Sequence, residues 1–452
     1  MDRLEDMDLV VIGAGMAGVT AANKCASKGW KVVVADPLPF GGTCALRGCD
    51  PKKILRRGAE VIDAARLMRG KGVHEGGLSI DWAELIRHKE GFTGPMPHNI
   101  EDGLVRNGVL TLHGAARFTD PDVVDVDGRA FRARHTLIAT GARPRPMSFP
   151  GHEHLIDSTA FLDLDALPSR ILFVGGGYIS FEFAHIAARA GSHPIIIDRG
   201  ERSLKGFDAD LVDLLVARST GAGIEVRTRS SITAIEASGS GFRVGVEQSG
   251  RREWIQTGLV VHGAGREPDL EALDLDTAGV AWTPRGVSVH DHLQSTTNSA
   301  VYAAGDAADS GALPLTPVAV TEGKVAASNM INSATRVPDH TGTPTVVFTI
   351  PELARVGLLE DQARDLGFDV DVRFNDTSGW YSNYRIGEPV AATKILINRS
   401  DDTILGAHLL GPEYAELINI LGLAMKLGLT TRQLKSMTAA YPSVGSDLGS
   451  ML

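Results

Sequence analysis

The run Gly41-Gly42-Thr43-Cys44-Ala45-Leu46-Arg47-Gly48-Cys49 places two thiols on either side of four residues, just behind paired glycines. In a regular helix two such side chains face different sides, so a small disulfide ring needs a distorted helix start. A helix N-terminus lowers a thiol's pKa and favours the thiolate, the form that attacks disulfides and passes electrons. Cys44 and Cys49 therefore read as a redox couple. Two blander readings compete: a structural thiol pair, or half of a zinc site. Zinc takes about four ligands, and the one other cysteine, Cys25, stands alone on a helical stretch where a packing thiol is expected. No metal site is expected.

Elements that could position this pair lie on both sides of it. Gly13-Ala14-Gly15-Met16-Ala17-Gly18 follows a strand-like run, Leu9 to Ile12, and opens a helical stretch, Met16 to Lys28. In such a turn the first glycine (Gly13) permits the bend and the second (Gly15) lets a pyrophosphate approach the backbone. The third (Gly18) packs helix on strand. Asp36 ends the next strand, where an acid can accept hydrogen bonds from a ribose. The pattern recurs: strand Arg170 to Val174, turn Gly175-Gly176-Gly177, helix Tyr178 to Ala190, strand Pro194 to Ile197, with Ser180 at the third glycine. Two copies imply two dinucleotide-binding units. From Pro344 onward strands give way to helices, Ala415 to Lys426 and Thr431 to Met437, an α+β texture.

Bulk properties exclude several classes. At 452 residues the chain exceeds a single hydrophobic core. A net charge of -10, without a Lys/Arg cluster, leaves no footprint for nucleic acid. The apolar run Leu9 to Ala22 is broken by glycines and too short to span a bilayer, so no membrane partner is expected. The acidic start, Met1 to Asp6, lacks the basic flank of a signal peptide, and three cysteines make no secreted disulfide framework; a cytoplasmic location is expected.

Together with Ala139-Thr140-Gly141, Gly265-Arg266-Glu267-Pro268, Ala304-Gly305-Asp306 and Pro344-Thr345-Val346-Val347-Phe348-Thr349, these motifs make the chain similar to the pyridine nucleotide–disulfide oxidoreductases. That family includes glutathione reductase, dihydrolipoamide dehydrogenase and mercuric reductase. The resemblance covers essentially the whole chain. It implies an α/β fold with two Rossmann-like domains and a C-terminal α+β dimerisation domain. Residues 1–150 and 285–335 would hold FAD, 151–284 NAD(P)H, and 340–452 the dimer interface.

The resemblance also distributes roles. FAD would contact Gly13, Gly15, Gly18, Asp36, Gly42, Thr43, Lys53, Ala115, Thr140, Gly141, Asp306, Leu315 and Thr316, with Asp306 on the ribityl chain and the helix after Leu315 facing the flavin's pyrimidine side. The nicotinamide nucleotide would contact Gly175, Gly177, Tyr178, Ile179, Glu182, Arg199, Lys205 and Gly265, with Tyr178 covering the empty nicotinamide pocket. Lys53, paired with Glu182, would lie near flavin N5. Cys49 would be the flavin-side sulfur and Cys44 the outer thiol that meets the acceptor. The partner in catalysis is a small-molecule electron acceptor, and the working form a homodimer whose C-terminal segments complete each other's sites.

The chain departs from this pattern in its last segment. The family's His-Pro-Thr-x-x-Glu becomes Tyr441-Pro442-Ser443-Val444-Gly445-Ser446, and the last of 14 histidines is His408. A phenol, with an unperturbed pKa of ~10, is a poor proton shuttle at neutral pH. Met16 and Asn23 stand where glutathione reductases carry a serine and an arginine for the peptide. No cysteine follows Cys49, unlike the Cys-Cys tail of mercuric reductase. Nucleotide choice is mixed: Asp198 suits a ribose 2′-hydroxyl and hence NADH, whereas Arg199 and Lys205 suit the 2′-phosphate of NADPH. NADPH is the expectation, with NADH possible. The leading function is NADPH-dependent reduction of a small disulfide or other thiol-reactive acceptor. The alternatives are a metal-ion or quinone reductase, a dihydrolipoamide dehydrogenase-like NADH enzyme, and a flavoprotein serving as an assembly partner.

Overall fold

The computed structural model describes residues 4–452, so Met1–Arg3 of the acidic start lie outside the described residues. The chain forms two compact units. One comprises residues 1–52, 88–145 and 266–340, the other residues 53–87, 146–265 and 341–452.

In the first unit, five strands run parallel in the order Leu110–His113, Val32–Asp36, Glu5–Ile12, Arg129–Ile138, Val301–Ala303. Leu9 to Ile12 and Val32 to Asp36 are buried along their length, as continuous apolar strands must be when both faces are covered. The register sets Leu9 beside Val32 and His135. The first half of Arg129–Ile138 stays paired with Glu5–Ile12 on one edge and on the other pairs antiparallel with Val123–Val126, which pairs with Ala116–Asp120. Helix Met16–Ala26 buries Ala17, Ala21, Ala22 and Cys25. Burial pushes the Cys25 thiol up to about 12, which leaves it an inert packing group.

The second unit repeats the parallel motif in Glu225–Arg227, His193–Ile197, Arg170–Val174 and Leu259–His262. An antiparallel meander, Ser230–Ser238, Gly241–Gln248 and Arg251–Thr257, lies between the last two of these strands in sequence. Beyond residue 341 comes a five-stranded antiparallel sheet in the order Thr345–Val347, Glu352–Gly357, Ile404–Gly411, Ala392–Asn398, Val370–Asp376. Helix Tyr414–Lys426 buries Leu417, Ile418, Leu421 and Ala424 in one cluster with strand residues Ala354, Val356, Ala407 and Leu409.

A buried charge network ties this unit together. The Arg189 side chain, 0% exposed, donates to Asp63 Oδ1 at 2.7 and 3.0 Å, while Arg218 donates to Asp63 Oδ2 at 3.0 Å and to Glu388 at 2.9 Å. His185, on the same helix as Arg189, accepts from the Ile350 N–H at Nδ1, and its Nε2 lies 2.9 Å from Ser219 Oγ. Because Ser219 donates its own proton to the Leu215 carbonyl, Nε2 is the protonated ring nitrogen. Burial, aided by the Arg189 charge, holds the His185 pKa well below its usual value, so the ring is neutral.

Candidate active site

The first glycine turn has the geometry that close phosphate approach requires. Gly13 has φ +107°, and a Cβ there would collide with the Ala139 carbonyl; one on Gly18 would collide with the Gly13 carbonyl. Gly15 precedes the helix, and no side chain caps that end. Asp36 accepts from the Ala14 N–H at 2.7 Å and from the Leu38 N–H at 2.9 Å. Burial raises its pKa, while those two N–H groups oppose the rise.

Thr140 and Gly141 (φ +71°) follow the Arg129–Ile138 strand, and Ala115 is exposed in the turn after Leu110–His113. Thr140 Oγ1 is buried with no partner among the described residues. Asp306 sits in the short turn Gly305–Ala307, where burial raises its pKa and Arg266 opposes. Glu322, 0% exposed, fastens that turn: it accepts from the Gly305 N–H and the Ser310 hydroxyl, each at 2.7 Å. Nothing in the sequence marks Glu322, a single acid on an apolar helix face. A bare glycine cradle, an orphaned hydroxyl and a half-buried acid fit FAD: the cradle would take the phosphates, and Thr140 and Asp306 would supply polar contacts.

The cysteines follow directly. A Cβ on Gly42 (φ +63°) would come within 2.7 Å of Gly15 Cα, so the segment rests on the phosphate turn itself. Helix Gly42–Arg47 ends at Gly48 (φ -155°, ψ -103°), and a second helix, Cys49–Leu67, starts at once. The break falls between the two thiols, which is the distortion their pairing needs. Both are thiols here, Cys49 exposed and Cys44 half-buried. The Thr316 hydroxyl, first residue of helix Thr316–Asn332, lies 3.6 Å from Cys49 Sγ. A hydrogen bond from Cys44 brings the Cys49 pKa down to about 6; Thr316 and the Lys52 charge assist, while burial and Asp50 oppose. The same bond, with burial, pushes the Cys44 pKa far up. At neutral pH the pair holds one thiolate, on Cys49, and one proton, on Cys44.

The second unit carries the other cradle. Gly175 has φ +105°, and a Cβ there would collide with the Gly263 carbonyl; Gly177 precedes helix Tyr178–Arg189. Ser180, fully buried, packs on Gly263 in the place of a third glycine. Tyr178 is 39% exposed, and its hydroxyl bonds Thr345 Oγ1 at 2.9 Å. Ile179 is half-buried, and Gly265 has φ +102°. Arg199 and Lys205 are exposed on the loop after His193–Ile197. Asp198 turns back into that loop, accepting from the Gly200 N–H at 2.9 Å and the Ser203 hydroxyl at 3.0 Å. Lys53 Nζ stands 3.8 Å from the centre of the Phe348 ring, and Glu182 accepts from the Phe348 N–H at 2.8 Å. Tyr441 is 81% exposed, as are Tyr381 and Tyr384 to 55% and 76%. Among the described residues no helix is long and apolar enough to cross a membrane, and no cluster of His, Cys, Asp or Glu could hold a metal ion.

Residues 7–323 match the family described as pyridine nucleotide-disulphide oxidoreductase, and residues 343–451 match its dimerisation domain. A glutathione reductase of Burkholderia cepacia is 33% identical over 443 residues, covering 98% of this chain and 97% of that protein. A mercuric reductase of Staphylococcus aureus is 30% identical over 454 residues, covering 99% and 82%. Among solved structures, the Cu(II) complex of the HOCl-induced flavoprotein disulfide reductase RclA from Escherichia coli superposes with a TM-score of 0.88 over 99% of each chain. At 24% identity that likeness speaks for the fold alone.

Proposed function

Since the chain belongs to the pyridine nucleotide-disulphide oxidoreductases, a family of FAD-dependent enzymes that use NAD(P)H, we propose that it oxidises NADPH and reduces a small disulfide or other thiol-reactive acceptor through Cys44 and Cys49. The observation that carries this reading is the cysteine pair, split by the Gly48 break and resting on the phosphate turn. Bound FAD would take a hydride from the nicotinamide and supply two electrons to the Cys44–Cys49 disulfide.

The chain's own residues then set the direction of flow. When the S–S bond opens, Cys49 keeps the negative charge, because Cys44 and Thr316 both offer it a hydrogen bond. Cys44 takes the proton and becomes the group that meets the acceptor. With a disulfide acceptor, Cys44 must lose that proton, attack one sulfur and release the other as a thiol. Cys49 then attacks Cys44, restores the S–S bond and frees the second product thiol. The preference for NADPH is supported by Asp198, whose carboxylate is engaged by its own loop while Arg199 and Lys205 stay exposed.

The roles given to Lys53, Glu182 and Tyr441 belong to the same proposal, as do a homodimer built on the dimerisation domain and a reducing, cytoplasmic setting. Tyr441 favours a second reading, reduction of a metal ion or quinone. Such acceptors need no protonated thiol leaving group, so the absence of an imidazole costs less.

Anaerobic reduction of the holoenzyme by NADPH tests the proposal. Uptake should exceed what the flavin alone accepts by two electrons and expose two new titratable thiols. Cys44→Ser should keep FAD bound and reducible but abolish turnover of the acceptor. Reduction that stops at the flavin, with no thiols appearing, excludes the proposal. A screen of disulfides, metal ions and quinones then divides the two readings.

A further inference from the structure

Arg355 is a cation with no anion. It lies on strand Glu352–Gly357, half-buried, and among the described residues no carboxylate or carbonyl accepts a hydrogen bond from it. The guanidinium carbon lies 5.7 Å from the centre of the Phe207 ring. The acids around it are engaged elsewhere. Asp208 caps its helix through the Asp210 and Leu211 N–H groups and pairs with Lys394 at 3.0 Å; Glu352 pairs with Arg56 at 3.1 Å and accepts from the Ala415 N–H. Burial lowers the Arg355 pKa, and the Tyr178 phenol opposes that shift. A guanidinium taken partly out of water without a counter-ion is costly, and proteins place one where an anionic ligand will arrive.

Its position points to the anion. Phe207, under Arg355, also packs on Tyr178, with ring centres 5.5 Å apart. Thr345, which bonds the Tyr178 hydroxyl, is the residue directly across the strand ladder from Arg355. Tyr178 is the first residue of the helix that opens from Gly175–Gly177, and the Leu204 N–H donates to the Gly176 carbonyl of that turn at 2.8 Å. Arg355 therefore flanks the second glycine turn from the antiparallel sheet, while Arg199 and Lys205 flank it from the loop.

We propose that Arg355 is a further nucleotide-binding residue, whose guanidinium takes the pyrophosphate of the nicotinamide nucleotide at the Gly175–Gly177 turn. The proposal rests on that turn binding the nucleotide, as the proposed function has it. The pyrophosphate is common to NADPH and NADH, so Arg355 contributes equally to both. That separates it from a residue reading the 2′-phosphate.

The test is equilibrium titration of the oxidised holoenzyme with NADP+ and with NAD+, at several salt concentrations. Arg355→Gln should weaken both by the same factor, roughly tenfold or more, and flatten the salt dependence of each. Arg355→Lys should recover part of the affinity. Unchanged affinities overturn the proposal, because the charge is then only a solvated one. So does a loss confined to NADP+, or a loss that tracks a lowered melting temperature and is not recovered by lysine. Wild-type protein that binds neither nucleotide would instead remove the reading of the glycine turn, a distinguishable result.

Discussion

Cys49 owes its acidity to its neighbours. The hydrogen bond from Cys44 leads, with the Thr316 hydroxyl behind it, and together they outweigh burial and Asp50. The sign of the pH dependence follows. The Cys49 pKa is depressed to about 6, so in two-electron-reduced enzyme the thiolate is present above that pH and is protonated as the pH falls through it. Long-wavelength charge-transfer absorbance of the reduced holoenzyme should rise with a midpoint near 6 and be absent in Cys49→Ser. A midpoint near the ordinary thiol value of ~8.5 would remove the argument. Thr316→Val, lacking the hydroxyl, should move that midpoint upward. Much at this scale was legible beforehand: the two thiols, the glycines and the acids at strand ends announce themselves by type and spacing. The Thr316 hydroxyl did not, because it reaches Cys49 from 267 positions away.

Helices and loops decide which charges are available. Asp198 ends its strand as an acid in an NADH site would, yet Gly200 and Ser203 draw it into the loop, and Arg199 is left at the surface. Replacing Arg199 by Gln should therefore raise KM for NADPH by roughly tenfold or more while sparing NADH, through loss of a charge-assisted bond to the 2′-phosphate. Equal changes for the two nucleotides would show that Arg199 does not read it. The helix Tyr178–Arg189 presents Tyr178 and Glu182, and it is moored at its other end by Arg189 on Asp63. Asp63→Ala leaves two guanidinium groups without their shared carboxylate. A buried pair broken on one side costs about 3–5 kcal/mol, to be read as a lower denaturant midpoint. None of this network was visible in the sequence. Asp63, Arg189, Arg218 and Glu388 come from four distant segments, and a lone charge on a helix carries no periodicity. The glycine turns, by contrast, were legible to within a residue or two, because a positive φ beside a carbonyl admits almost nothing else.

At the scale of the molecule, the C-terminal part presents aromatic side chains to its surroundings. Tyr381, Tyr384, Phe374 and Tyr441 are all largely exposed, on a segment that matches a dimerisation domain. If Tyr441 covers the partner's thiols without moving protons, Tyr441→Phe should retain most of the turnover with the physiological acceptor. Glutathione disulfide and lipoamide should be slow substrates at neutral pH. Tyr441→His combined with Ser446→Glu should then speed them by about 10²-fold, the usual scale of general acid–base help. Fast wild-type turnover of those disulfides, indifferent to Tyr441→Phe, would end this explanation. The C-terminal departure was plain in the sequence. What it does to acceptor choice was not, because in the proposed homodimer the thiol it would serve would belong to another copy of the chain.

The contact between Gly42 and Gly15 bears on how such a protein can change over time. A reactive loop hung on the surface could be lengthened, swapped or lost while the scaffold drifted on unaffected. Here the backbone that carries the thiols leans on the backbone proposed to receive the phosphates, with no room for even one carbon between them. A side chain admitted at position 42 would disturb both at once. In a library of random variants, those impaired in thiol chemistry through this stretch should also release their flavin. Variation in acceptor should instead accumulate at positions such as Tyr441, which is 81% exposed and lies outside the glycine turns.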